Sequence, residues 1–175
     1  MVLLRATGES DASAAMVREA QGGSDEAFER LYRHHAPRIF ALALRMTRTR
    51  GEAEDVTQEV FLRAWRSLGT FRRGSTFATW IHSIARNVVF DGSRTRKIPL
   101  VGIDEHLRDL ARDLPDTRLD LERAVADLPD RARMAVLLAA AGHTYEEIAA
   151  IMETAIGTVK AQVHRARQLL KEALA

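Results

Sequence analysis

The chain, 175 residues long, contains no cysteine. That excludes a disulfide framework, a thiol nucleophile and any zinc site with thiolate ligands. Proline is scarce, with four residues at Pro37, Pro99, Pro115 and Pro129, so long stretches are free to stay helical. Aromatic residues make up 6% of the chain and include only two tryptophans, Trp65 and Trp80, whose helical spacing assigns them mainly to the core. Long apolar runs are missing as well, since nothing approaches the roughly 20 apolar residues that span a bilayer. The opening segment Met1 to Leu4 meets Arg5 too soon to form a signal-peptide core. A soluble, cytoplasmic protein is the expectation. Charge of one sign is also lacking, with a formal net charge of +2, so whole-chain electrostatics say little and the placement of charges says more. Cations gather at Arg30 to Arg50, Arg86 to Lys97 and Lys160 to Lys171; acids gather at Glu52 to Glu59 and Asp104 to Asp120. So uneven a pattern suggests two different partners.

What is present is an apolar fraction of 46%, enough for a core, arranged almost everywhere with helical period. A short helix is expected over 11–21, ended by Gly22 and Gly23. Phe28, Leu31, Tyr32, Ile39, Phe40, Ala43 and Leu44 share a face of the next helical region, which Pro37 should kink or divide and Gly51 should break. Val56, Val60, Ala64 and Leu68 form a stripe on a helix from Glu52 to Leu68. A loop over Gly69 to Gly74 follows, and Ser75 or Thr76 can cap a helix carrying Phe77, Trp80, Ile81, Ile84, Ala85, Val88 and Val89. The segment 98–117 holds two of the four prolines and more acids than bases, and reads as an acidic linker. Helices are expected again over 117–128 and from Pro129 to about Ala141, with Gly142 as a stop. The fold class is therefore all-α: two small helical domains joined by an acidic linker. The division is a tail with a short helix (1–23), a first domain (24–97), the linker (98–117) and a second domain (118–175).

The end of the chain carries the sharpest functional signal. Thr144 to Met152 reads as a short helix, and Gly157 to Arg167 lies on a longer one rich in cations, with a tight connection between them. That is the pattern of a helix-turn-helix, whose second helix enters a DNA major groove. Val159, Val163, Ala166 and Leu170 form its apolar stripe. Lys160, Ala161, His164 and Arg165 lie together on the other side and can meet base edges, where a good bidentate pair contributes about 1–3 kcal/mol of discrimination. Thr158, Gln162 and Arg167 are better placed for phosphates. Chemistry of the chain's own is not expected. His34 and His35 are adjacent on a helix and point about 100° apart, and Glu146 and Glu147 open a helix whose dipole favours acids. No catalytic residue, metal or cofactor is assigned.

Several separated stretches carry a family resemblance in the right order. They are Asp25-Glu26-Ala27-Phe28-Glu29-Arg30-Leu31-Tyr32 with Ala36-Pro37-Arg38, then Ala53 to Trp65, then Thr76-Phe77-Ala78-Thr79-Trp80-Ile81 with Ile84-Ala85-Arg86-Asn87, and finally the helix-turn-helix. Over about 13–173 the chain resembles the group IV, or extracytoplasmic-function, sigma factors of the bacterial sigma-70 family, which direct RNA polymerase to promoters. The resemblance implies that Asp55, Gln58 and Glu59 dock on a basic coiled coil of the polymerase clamp, and their spacing puts them on one exposed side of a helix. It implies that the loop carrying Phe71 and Arg72 captures unstacked bases of the −10 element, and that Asn87 reads a base edge. Arg86, Arg94, Arg96 and Lys97 are phosphate contacts on this reading, and the helix-turn-helix reads the −35 element. The implied partners are core RNA polymerase at its clamp and flap, promoter DNA and an anti-sigma factor, and the acidic linker would thread toward the basic RNA exit channel.

The chain also departs from the family. Glu153 stands in the turn where glycine is common; if the turn needs positive φ, glutamate costs about 1 kcal/mol. Ala155 cannot cap the recognition helix with its side chain, although Thr154 could, and Ala161 replaces a common serine. The run Ala135 to Ala141 lacks the usual polar residues, leaving Ala139, Ala140 and Ala141 as a smooth surface for the N-terminal domain, the polymerase flap or an inhibitor. The rival reading is a stand-alone helix-turn-helix regulator that binds duplex DNA as a symmetric dimer.

Overall fold

Ser24 decides where the first long helix begins. The computed structural model describes residues 13–72, 74–93 and 116–173. Helix α1 (13–21) buries Val17 and Ala20 and ends at Gly23, whose φ of 95° suits glycine. The Ser24 hydroxyl then accepts a hydrogen bond from the Ala27 amide at 3.2 Å, and Asp25 and Glu26 occupy the dipole-favoured first turn of α2 (Asp25–Met46). The expected division at Pro37 does not occur, because α2 runs through it for 22 residues. Leu31, His35, Ile39, Leu42 and Met46 stay in phase on one buried stripe, and that burial outweighs the lost amide donor.

Gly51 does not break the helix either; it is the second residue of α3 (Arg50–Ser67). The break lies just before, where Thr47 is extended and the Thr49 hydroxyl accepts from the Glu52 amide at 3.1 Å. The Glu52 carboxylate reaches back to the Arg48 amide at 3.0 Å, so two orphan donors are satisfied reciprocally. Helix α3 buries Ala53, Thr57, Val60, Phe61 and Ala64 and tightens into a 3-10 turn over Leu68–Thr70, shortening the expected loop. Thr76 rather than Ser75 caps α4 (Phe77–Ser93), its hydroxyl accepting from the Thr79 amide at 3.1 Å.

The second half contains α5 (Asp116–Ala126), α6 (Asp130–Ala140), α7 (Tyr145–Met152) and α8 (Ile156–Ala173). Arg133 of α6 donates to the carbonyls of Val125 at 3.2 Å and Leu128 at 2.8 Å, closing the end of α5. Gly142, at φ 95°, stops α6, and the His143 amide returns to the Leu138 carbonyl at 3.2 Å. Thr144 and Glu147 form a full capping box on α7. Among the described residues there is no strand, and no helix long and apolar enough to cross a membrane. The acidic segment up to Pro115, including Asp109 and Asp113, lies outside the described residues; α5 begins at Asp116, inside the range expected for the linker.

The two halves are not separate in space. One continuous apolar cluster joins Leu31, Ile39, Val60 and Ile81 of the first half to Met134, Leu138, Ile148 and Ile151 of the second. Helix α4 lies against α7, and α2 meets α5 and α6.

Candidate protein and nucleic-acid interfaces

The sequence placed an acidic stripe on α3, and the structure extends it. Asp55 and Gln58 are exposed and Glu59 is half-buried, one turn apart on the side opposite Val60 and Ala64. Glu59 is engaged already, accepting from Arg63 at 2.7 Å, while Arg63 also approaches Asp91 of α4 at 3.5 Å. The same side continues into Leu62 and Trp65, each 44% exposed. Trp65 is thus not the core residue its spacing predicts. Its ring meets the edge of Phe28 at 4.8 Å and leaves the other side to solvent beside Tyr32, 43% exposed. Asp25, Phe28, Glu29, Tyr32 and Trp65 line a shallow surface depression there. Acids beside open aromatic surface form a face suited to a cationic partner with an apolar centre.

Phe71 is half-buried, packed 4.9 Å from the Trp80 ring and 6.0 Å from Phe77, so one side of it belongs to the core. Arg72 beside it is exposed. A residue that periodicity did not single out fixes this loop. The Gln21 amide donates to the carbonyls of both Leu68 and Phe71, each at 2.9 Å, tying the end of α1 to the loop backbone. Asn87 is exposed on α4. Arg86 points elsewhere, toward the second half of the chain. Arg94, Arg96 and Lys97 lie outside the described residues.

On α8 the expected division of faces is present. Val159, Val163 and Ala166 are buried, and Thr158, Lys160, Ala161, His164, Arg165 and Arg167 are exposed. Gln162 differs from the rest because it is half-buried and its Oε1 is enclosed without a hydrogen-bond partner, so its carbonyl faces inward, not toward a phosphate. The turn before α8 does need positive φ. Glu153 sits at φ 50°, ψ 53°, in the left-handed region where the family's glycine would be relaxed. Ala155 caps α8 with its carbonyl alone, which accepts from the amides of Thr158 at 2.9 Å and Val159 at 3.2 Å. Ala140 and Ala141 are exposed, while Ala139 packs against the core.

A polar seam joins the halves along one side of α4. Thr79, His82, Arg86 and Phe90, three and four residues apart, each meet the second half. The Thr79 hydroxyl donates to Glu147 Oε1 at 3.2 Å, and Phe90 faces the Arg131 guanidinium at 6.0 Å. His82 Nδ1 lies 2.7 Å from the Ala78 carbonyl and 3.3 Å from His143 Nε2, while the other side of His143 lies 3.6 Å from Glu147. Burial, and then the neighbouring His143, push the His82 pKa down to about 4. Burial also lowers His143, with Glu147 opposing. Arg86 Nε donates to the Ile151 carbonyl at 3.0 Å, and its Nη2 pairs with the Glu153 carboxylate. This last contact is an ion pair more than an aligned hydrogen bond, as Nη2 has no acceptor with hydrogen-bond geometry.

Comparison with known proteins identifies the family of the chain. Sigma-70 region 2 matches residues 31–98, and Sigma-70, region 4 matches residues 118–170. The chain is 37% identical over 159 residues to the ECF RNA polymerase sigma factor SigE of Mycolicibacterium smegmatis, a match that spans 85% of this chain and 62% of that longer protein. It is 31% identical over 179 residues to the RNA polymerase sigma-H factor of Pseudomonas aeruginosa, covering 91% of this chain and 92% of that one. Among solved structures it is similar to the sigma factor RpoE in complex with the anti-sigma factor NepR from Bartonella quintana, with 30% identity, a TM-score of 0.72, and coverage of 84% of this chain and 96% of that one. The structure of CnrH in complex with the cytosolic domain of CnrY shares the fold, with a TM-score of 0.75 at 24% identity over 93% of this chain and 97% of that one. With two sigma-70 regions in order on one helical frame, and the sigma-H factor matched over 92% of its length, the chain belongs to the extracytoplasmic-function sigma factors of the sigma-70 family, the alternative sigma subunits of RNA polymerase.

Proposed function

We propose that this sigma factor docks on the polymerase clamp through the α3 stripe Asp55, Gln58 and Glu59, widened by Leu62 and Trp65. The −10 element is captured by the loop of Phe71 and Arg72 together with Arg86, Asn87 and Arg94. The −35 element is read by Lys160, Ala161, His164 and Arg165, with Thr158 and Arg167 toward phosphates, while the half-buried Gln162 is left out of the phosphate contacts. Residues 24–97 then act as the polymerase-docking and −10 unit, 98–117 as the linker and 118–175 as the −35 unit. Such a subunit works in the cytoplasm and supplies recognition, leaving RNA synthesis to the polymerase. An anti-sigma factor holds it inactive until a stress or other signal arrives; the similar RpoE was solved with one.

The observation that carries this reading is the pairing of two unlike faces on one chain: acids beside open aromatics on α3, and an exposed cationic face on α8. A stand-alone DNA regulator requires only the second. In vitro transcription from a promoter library with bacterial core polymerase is expected to yield initiation only when this chain is added. A gel shift with the chain alone should be weak and become strong with core. Strong, symmetric binding without core, and no initiation from any template, would favour the stand-alone regulator.

A further inference from the structure

We propose that Glu153 and Arg86 form a latch that holds the two halves closed while polymerase is absent, with the Glu153 carboxylate occupying the place a DNA phosphate oxygen would take. The DNA role of Arg86 rests on the function proposed above; the latch itself rests on geometry.

Position 153 lies in the turn between α7 and α8. Its backbone is left-handed, at φ 50° and ψ 53°, a conformation glycine adopts freely and an L side chain does not. The local structure asks nothing of the glutamate side chain. The backbone amide of residue 153 closes α7 by bonding to the carbonyls of Ala149 and Ala150, as any residue but proline could. The side chain instead leaves the turn and meets a guanidinium 67 positions earlier in the chain, on α4 of the other half. Glutamate at a glycine-favouring position therefore makes sense through its partner.

The partner shows the same economy. The Arg86 side chain is 15% exposed, and a cation so enclosed needs acceptors. In the second half its Nε finds the Ile151 carbonyl, and its charge is met by the Glu153 carboxylate as an ion pair. The surrounding seam fixes the registry: Thr79 on Glu147, His82 on His143 and Phe90 on Arg131. Carboxylate and phosphate present an arginine with the same kind of anionic oxygen. While Glu153 holds Arg86, the guanidinium is withheld from DNA. When the halves part, a phosphate can replace the carboxylate like for like, so opening leaves no buried cation unpaired.

The absence of cysteine makes the test direct. Cysteines introduced at Glu29 and Glu172, both exposed and on opposite halves, carry a donor and an acceptor dye on the full chain. Single-molecule energy transfer then reads the closed-to-open ratio. Glu153→Lys, which replaces the attraction by repulsion, is expected to lower that ratio about tenfold, and Glu153→Gly to lower it less. Glu153→Gly also relaxes the left-handed turn, so its melting temperature should not fall even as the chain opens; this separates the latch from a general loss of folding. Equal transfer in the parent, Glu153→Gly and Glu153→Lys would overturn the latch. The role of Arg86 on DNA is read separately, by adding Arg86→Ala to the Glu153→Lys chain and measuring transcription with core polymerase. A loss there supports the exchange of carboxylate for phosphate, and no change removes that exchange while leaving the latch standing on its own readout.

Discussion

Trp65 shows what a single residue contributes when its neighbours are known. Helical spacing sets it beside Phe61 and Val60, and on that basis it belongs in the core. In the fold its ring leans on Phe28 and remains 44% exposed, one turn beyond Leu62 and two beyond Gln58. Half-exposed aromatics at the centre of a polar-rimmed face are the residues that dominate binding energy. Trp65→Ala should therefore lower folding stability by only about 1 kcal/mol, because little buried area is lost, yet weaken binding to core polymerase tenfold or more. Chemical denaturation and a core-binding titration separate the two effects; a large stability loss with unchanged core affinity would return Trp65 to the core. The polar stripe of Asp55, Gln58 and Glu59 was legible in the sequence because i, i+3 and i+4 spacing is a local property. The exposure of Trp65 was not, because it depends on how far α2 extends over α3.

At the scale of the element, caps and turns decided more than propensity. Pro37 and Gly51 look like breaks in a list of residues, yet one lies inside a continuous helix and the other in a first turn, since burial of the α2 stripe and the Thr49 cap outweigh them. Even the pair Asp91-Gly92, often a hairpin turn, is absorbed into the end of α4. The helix-turn-helix was legible almost to the residue, because Gly142, Thr144 and the period of Val159, Val163 and Ala166 all agree. Its first helix, α7, has only eight residues and depends on its cap. Thr144→Ala breaks the capping box, in which the Thr144 hydroxyl accepts from the Glu147 amide at 3.2 Å and the Glu147 carboxylate from the Thr144 amide at 2.9 Å. A loss of about 1 kcal/mol is expected in thermal or denaturant unfolding. Because Glu147 also accepts from Thr79, the same change should loosen the seam with α4.

At the scale of the whole molecule the seam makes stability depend on pH. His82 has its pKa lowered from 6.5 to about 4, first by burial and then by His143, with Arg38 of α2 acting in the same direction. The unfolded chain binds this proton below 6.5 and the folded, closed chain only near 4, so the stabilisation is complete above 6.5 and is lost as pH falls through that window. Glu147 faces the pair through His143, 3.6 Å from its ring. Melting temperature measured from pH 7 to 4.5 should fall steadily, and His82→Gln should flatten the slope; an unchanged slope would mean that His82 does not carry it. Periodicity, caps and charge within a few residues are enough for the all-helical class, the order of the elements, the acidic face of α3 and the two faces of α8. That the halves share one core, that Arg86 answers Glu153 and that Trp65 stands outside came with the packed fold. Those facts depend on contacts between residues tens of positions apart, and no local spacing encodes which distant surfaces will bury each other.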